Sequence, residues 1–153
     1  MQSFSQIYIM AVFAVKYRDG VINALWRKQL FATIGQTLKE IDGVVPIAIG
    51  CSDDHIHVLF STKGLVGESE IMRKIKSESS LWINNNRLTR CRFAWQRGGA
   101  RISYSYSAIK DVVAYIENQV EHHKHTSFRQ EYESILRKLG KEVSEYDLPE
   151  DLI

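Results

Sequence analysis

The spacing of apolar positions along this chain changes its period in a definite order. Residues 4–16, FSQIYIMAVFAVK, are rich in β-branched and aromatic types, which predicts a strand broken by Asp19-Gly20. From Asn23 to Ile41, Trp26, Leu30, Ile34, Leu38 and Ile41 recur at steps of three and four, as expected for a helix with one apolar face. Asp42-Gly43 ends it. VVPIAIG (44–50) reads as a second strand, with Pro46 marking an edge or an end, and HIHVLFST (55–62) as a third. Residues 67–86 return to helical spacing, with Ile71, Met72, Ile75, Ser79, Trp82 and Ile83 on one face and Asn84–Asn86 as the stop. After a looser stretch, ARISYSYS (100–107) alternates as a fourth strand. Ser107 is placed to cap a helix running from Ala108 to about His123. Ser127, with Gln130 three residues on, forms a capping box for a last helix striped by Phe128, Tyr132, Ile135, Leu136 and Leu139 and closed by Gly140.

The sum is β-α-β-β-α-β followed by two helices. That order predicts an α+β fold, a ferredoxin-like antiparallel four-stranded sheet with helices on one face plus two C-terminal helices. The other face is left for those last helices or a second subunit to cover. The long apolar first strand is expected to offer an edge to a partner strand. With 153 residues the chain is most simply one domain, here residues 1–140, followed by an acidic tail at 141–153. The apolar run 7–15 is too short to cross a membrane and lacks a basic segment before it, so no membrane association is expected. Cys51 and Cys91 match no disulfide framework or zinc spacing, which makes a reducing cytoplasm the expected location.

Charge changes the picture more than composition does. The net charge is only +2, yet Arg73, Lys74, Lys76, Arg87, Arg90, Arg92, Arg97, Arg101 and Lys110 crowd one central stretch, opposed only by Glu78. Such asymmetry points to a polyanion partner, nucleic acid first.

Two constellations carry candidate chemistry. In a strand, residues i and i+2 point the same way, so His55 and His57 emerge on one face while Ile56 points to the other. Two neutral imidazoles so placed can converge on a divalent ion, or simply line a sheet face. Asp53 and Asp54 before them read as turn formers. In the helix after residue 108, Ile109, Val112, Val113, Ile116 and Val120 mark the apolar stripe. Tyr115 lies roughly 120° from the centre of that stripe and Gln119 roughly 80°, making them i, i+4 neighbours off the core face. The phenol is either a candidate nucleophile or a tyrosine at the rim of the core.

At these residues the chain resembles the single-tyrosine transposases of the HUH superfamily, including insertion-sequence and REP-associated tyrosine transposases. The resemblance is carried by SDDHIHVLFST, EIMRKIKSESSLWIN, FAWQRGG and YIENQVEHHKHTSFRQEYESIL, in that order. It implies that His55 and His57 bind a divalent cation, Mg²⁺ or Mn²⁺, with Gln119 as a third ligand. It implies that Tyr115 attacks a single-stranded DNA phosphate, giving a 5′-phosphotyrosine and a 3′-hydroxyl, and that attack by another 3′-hydroxyl rejoins strands. It further implies a homodimer acting on single-stranded or hairpin DNA, with the tyrosine helix able to dock on the partner's histidine pair. Arg73, Lys74, Lys76, Arg87, Arg90, Arg92, Arg97 and Arg101 would bind the nucleic acid, with affinity falling as salt rises. The competing expectation is a catalytically silent binder of single-stranded or hairpin DNA on the same fold.

The family often carries WQ.GYGAFSVS where this chain has WQRGGARISYSYS. Tyr104, Tyr106 and Tyr132 are therefore rival phenols, although none has a glutamine four residues on. Tyr104, Tyr106 and Trp95 are candidates to stack on bases. Glu121, His122, His123 and His125 are further candidate ligands or bases, with His122 on the Tyr115 face and His123 nearer the apolar stripe.

Overall fold

The computed structural model describes residues 1–17 and 21–150. The break expected at Asp19-Gly20 and the last three residues of the acidic tail lie outside the described residues. The elements are β1 (Ile7–Ala14), α1 (Arg27–Lys39), β2 (Val44–Cys51), β3 (His55–Thr62), α2 (Glu68–Asn85), β4 (Ala100–Tyr104), α3 (Ile109–Glu117), α4 (Gln119–His122) and α5 (Phe128–Lys138). The strands form one antiparallel sheet in the order β2-β3-β1-β4, within the ferredoxin-like class expected from the order of elements along the chain.

The first strand is central, paired with β3 on one side and β4 on the other. This corrects the expectation of a free first-strand edge. The physical reason lies in its composition. Every residue from Met10 to Val15 is buried, and a strand with no polar face belongs in the middle of a sheet covered on both sides. Pro46 sits where it costs no ladder bond, on edge strand β2 at an irregularity in its pairing with β3.

Two layers cover the sheet. Ala11, Phe13, Ile56, Val58 and Phe60 face α1 and α2, meeting Leu30, Ile34, Leu38, Ile71, Met72 and Ile75 in one core. Met10, Val12, Leu59 and Ile102 face the other way and meet Val112, Ile116, Phe128 and Tyr132 of α3 and α5 in a second. The chain's own C-terminal helices therefore close the second face. Trp95 lies in the first core, its indole donating to Ser79 Oγ at 3.0 Å and its ring edge-on to Phe13 and Phe93. It is not exposed for stacking on a base, while Trp82 is the half-buried one, packed near Trp26. Tyr106 is exposed beside Tyr8, in a turn just beyond β4, and does not continue the strand.

The helix expected from 108 to 123 is interrupted at Asn118. The interruption turns the Gln119 side chain inward and leaves Val120 half-exposed, so Val120 drops out of the apolar stripe. The capping box at Ser127 forms as read, with Gln130 N–H donating to Ser127 Oγ and Ser127 N–H to Gln130 Oε1. Residues after Gly140 fold back on the body. Gln96 donates to the Glu150 carbonyl and accepts from Glu150 N–H, and Arg129 donates to the Pro149 carbonyl and pairs with Glu145. No helix among the described residues is long and apolar enough to cross a membrane.

One residue fixes how closely the second layer approaches. Gly50 of β2 pairs with His57 across the ladder, and α3 lies directly on it. A Cβ at Gly50 would overlap the Ile116 carbonyl oxygen and come 2.8 Å from Ile116 Cγ2. Both neighbours are backbone or buried β-branched atoms that cannot rotate away. We expect Gly50→Ala to cost roughly 1–3 kcal/mol of stability by lifting α3 off the sheet, read from urea unfolding midpoints. An unchanged midpoint would mean that α3 does not sit on Gly50.

Candidate metal and nucleophile site

The site is assembled from three elements on the second face of the sheet. His55 and His57 come from β3, opposite Ala14 and Val12 of β1, and both imidazoles are fully buried. Ile56 between them faces α1 and α2, as strand alternation requires. α3 and α4 bring Tyr115 and Gln119, and α5 brings Glu131. The phenol ring stands edge-on to His57, with centroids 5.6 Å apart, and lies beside the Glu131 carboxylate and the Gln119 amide.

The hydrogen bonds assign the His55 tautomer and the Gln119 amide orientation. His55 Nδ1 lies 2.7 Å from Asp54 Oδ1 and 2.9 Å from Ser52 Oγ, so this nitrogen carries the proton and donates. Asp54 thus both forms the turn and orients the imidazole, while Asp53 pairs with Arg27. Gln119 Nε2 points to the Tyr115 carbonyl at 3.4 Å, which turns Gln119 Oε1 toward His55 Nε2, 3.0 Å away. The bare nitrogen and the amide oxygen are both acceptors, so they face each other without a proton between them. Glu131 Oε1 lies 2.8 Å from His57 Nε2 and 4.0 Å from His55 Nε2, and neither it nor His57 Nε2 has a hydrogen-bond partner.

The amide oxygen of Gln119, a carboxylate oxygen of Glu131 and one ring nitrogen each of His55 and His57 therefore converge in the protein interior. Left bare, each would cost its desolvation energy. A six-coordinate Mg²⁺ at about 2.1 Å from its ligands has neighbouring ligands about 3 Å apart and opposed ones about 4 Å apart. The spacings are those of ligands to a divalent cation of that size, and His55, His57, Gln119 and Glu131 are the residues able to hold one.

Glu131 was not singled out from the sequence. The available signal was a carboxylate within the apolar stripe of the last helix, between Phe128 and Tyr132 on one side and Ile135 on the other. It is almost wholly buried. Burial would raise its pKa, but the hydrogen bond from His123 and the neighbouring His57 and His55 rings outweigh that and hold the carboxylate well below its usual range. Tyr115 moves the other way, with burial and then the Glu131 charge pushing the phenol above its usual value. His122 packs against Tyr115 with ring centroids 5.6 Å apart, and His123 donates to Glu131 Oε2. Glu121 is exposed and pairs with Lys124.

The basic residues do not surround this cluster. α2 covers the opposite face of the sheet. Arg73, Lys76 and Arg101 line a groove along it with Trp95 and Ser80, and Arg87, Arg90 and Arg92 line a second beside its C-terminus, also bounded by Ser77 and Ser80. Arg73 is engaged with Glu70, Lys76 donates to the carbonyls of Gln96 and Gly98, and Arg97 lies beside β4 in a separate groove. Lys74 is exposed on α2. β4 links the two faces. Arg101 reaches toward Glu68 and Met72 of α2, while Tyr104 lines a cleft of about 590 Å³ with Tyr115, His122, Glu131 and Ile135.

Comparisons with known proteins converge on one group. Residues 3–119 match the family model described as "Transposase IS200 like". No curated protein matches the sequence. Among solved structures, a candidate transposase from Deinococcus radiodurans R1 superposes with a TM-score of 0.59 at 16% identity, covering 78% of this chain and 95% of that one. A REP-associated tyrosine transposase bound to a REP hairpin superposes with a TM-score of 0.58 at 14% identity, covering 100% of this chain and 91% of that one. At these identities the superpositions speak for the fold alone.

The acid response of the metal-free protein follows from the buried imidazole. Burial pushes His57 from 6.5 down to about 4. Between those values the unfolded chain binds the extra proton, so stability falls as pH drops through that window, and ionised Glu131 adds its loss below about pH 4.5. His57→Gln should flatten the slope of unfolding free energy between about pH 6.5 and 4.5. An unaltered slope would assign that titration to another group.

Proposed function

Because this chain belongs to the IS200-like transposase family, we propose that it cuts and rejoins single-stranded DNA with Tyr115 as its nucleophile. The observation that carries this reading is one juxtaposition. A half-buried phenol stands against His57, beside a buried cluster of two imidazoles, an amide oxygen and a carboxylate in which His57 Nε2 and Glu131 Oε1 have no hydrogen-bond partner among the described residues. A divalent cation held by His55, His57, Gln119 and Glu131, Mg²⁺ or Mn²⁺, supplies Lewis-acid polarisation of a phosphate there. Everything else falls to the chain's own residues. Asp54 and Ser52 fix the His55 tautomer so that Nε2 faces inward. α3, seated on Gly50, holds the phenol over the site.

In the reaction we infer, the Tyr115 oxygen attacks phosphorus and loses its proton. The P–O3′ bond breaks, and the departing 3′-oxygen takes up a proton. The product is a 5′-phosphotyrosine and a free 3′-hydroxyl. Attack by a second 3′-hydroxyl reverses the step and joins two strands, and the ester conserves the bond energy, so no nucleotide cofactor is required. The cleft between α3 and α5 gives the phosphate its access.

A solved relative of the same fold carries a REP hairpin, which supports single-stranded or hairpin DNA as the substrate class here. In our reading the duplex or strand follows the basic groove of α2, where Arg73, Lys74, Lys76, Arg87, Arg90 and Arg92 lie. It then passes over β4 by Arg97 and Arg101 into the Tyr104–Tyr115 cleft. Pairing of two copies into a homodimer belongs to the same proposal. In this reading the tyrosine helix of one copy is also able to dock on the partner's histidine pair. The reading also assigns residues 1–140 as the transposase domain, 141–153 as a tail, and the cytoplasm as the location.

The raised phenol favours the silent-binder alternative wherever no cation is present, and trapping the covalent adduct separates the two. With Mn²⁺ and hairpin DNA, a denaturing gel should show a protein–DNA adduct. Tyr115→Phe should abolish it while changing binding affinity less than about threefold, and His57→Ala should lower cleavage by about two orders of magnitude or more. An adduct surviving in Tyr115→Phe would transfer the role to Tyr104, the other phenol lining the cleft. No adduct in the parent chain would leave the binder.

A further inference from the structure

We propose that Glu131 is shared by two cation positions, the second being completed by His122 and His123 beside Tyr115. The inference rests on the functional reading in one respect, since the other oxygen of Glu131 faces the His55–His57 site. Glu131 has a side chain only 3% exposed, with imidazoles on both sides of its carboxylate. Oε1 faces His57 at 2.8 Å and His55 at 4.0 Å. Oε2 lies 3.2 Å from His122 Nε2 and against His123 Nε2. Four ring nitrogens thus address the two oxygens of one anion.

The second group is a ligand set in its own right. His122 Nε2, His123 Nε2 and Glu131 Oε2 lie within 4.8 Å of one another, the spread that a single ion spans. Two imidazoles and a carboxylate form a common three-residue set for a divalent transition ion that keeps an open position. One feature points to a ligand there. Buried His122 Nε2 lies near the carboxylate but makes no hydrogen bond to it, and an ion would take the place of the proton through which His123 Nε2 meets Oε2.

The chemistry selects the ion. Mg²⁺ favours oxygen ligands, whereas the nitrogen-rich second position suits Mn²⁺, Co²⁺ or Zn²⁺. Paired ions in two-metal phosphoryl-transfer sites stand about 3.5–4 Å apart and clamp the attacking and leaving oxygens together. A carboxylate bridge through Glu131 would set such a spacing here, with the second ion on the Tyr115 side, since His122 packs on that ring. It would also tie α4 to α5 across the mouth of the cleft.

The test is metal stoichiometry and spin coupling in the full chain, stripped with chelator and titrated with Mn²⁺. Bound metal is counted by equilibrium dialysis, and its environment is read by electron paramagnetic resonance. The expected result is two Mn²⁺ per chain with a spin-coupled spectrum. His122→Ala and, separately, His123→Gln should each reduce this to one Mn²⁺ with the six-line spectrum of an isolated ion, with circular dichroism reporting the fold. Tyr115→Phe should keep both. One uncoupled Mn²⁺ in the parent chain, lost in His57→Ala, would overturn the second position and leave the functional reading standing. Two ions retained in His122→Ala and His123→Gln would overturn it as well. Failure of the parent chain to bind any Mn²⁺ would overturn both.

Discussion

Glu131 is a carboxylate buried among imidazoles, and its charge has to be met where it sits. Water is excluded, so neighbouring groups must supply protons or cations, or the second face of the protein would not close. The surroundings do this by convergence. β3 contributes two rings from below, the α4 turn contributes two from the side, and α5 holds the anion between them. Burial and then the same anion push the Tyr115 phenol upward, so the groups that close this layer also raise the pKa of the candidate nucleophile.

That cluster is only as well placed as the layer carrying it. The sheet is buried on both faces, which is why β1 has no polar side and lies at its centre. The α1–α2 layer packs as an ordinary apolar core. The α3–α5 layer instead carries the polar cluster at the end of its core, and the missing side chain of Gly50 lets α3 approach the sheet at backbone distance. A glycine in an edge strand normally weakens it. Here the lost strand propensity is offset by the close seating of the helix that bears Tyr115.

The separation of charge from chemistry is a second consequence of the layered fold. The arginines and lysines crowded in the middle of the sequence belong to α2, the loop after it and β4, so most of them lie across the sheet from Tyr115. Closeness in sequence placed them together without placing them at the site. β4 joins the two regions because alternate residues of one strand serve opposite faces, Arg101 toward α2 and Tyr104 toward the cleft.

Local periodicity in the sequence determined the element order, the sheet class, the shared face of His55 and His57, and the Ser127 capping box. These follow from spacing rules of two and three-to-four residues that need no distant partner. The neighbouring positions of Tyr115 and Gln119 were legible for the same reason. The tertiary structure alone decided the rest. Which strand lies at the centre depends on what covers its two faces. Trp95 is core because Phe13, Phe93 and Ser79, far apart in sequence, surround it. The helix interruption at Asn118 turns Gln119 to face His55, sixty-four residues away. Glu131 looked like one charge on an amphipathic helix. It became a buried anion only when α5 docked over the histidine pair, because a side chain's environment is set by what packs against it and not by its neighbours along the chain.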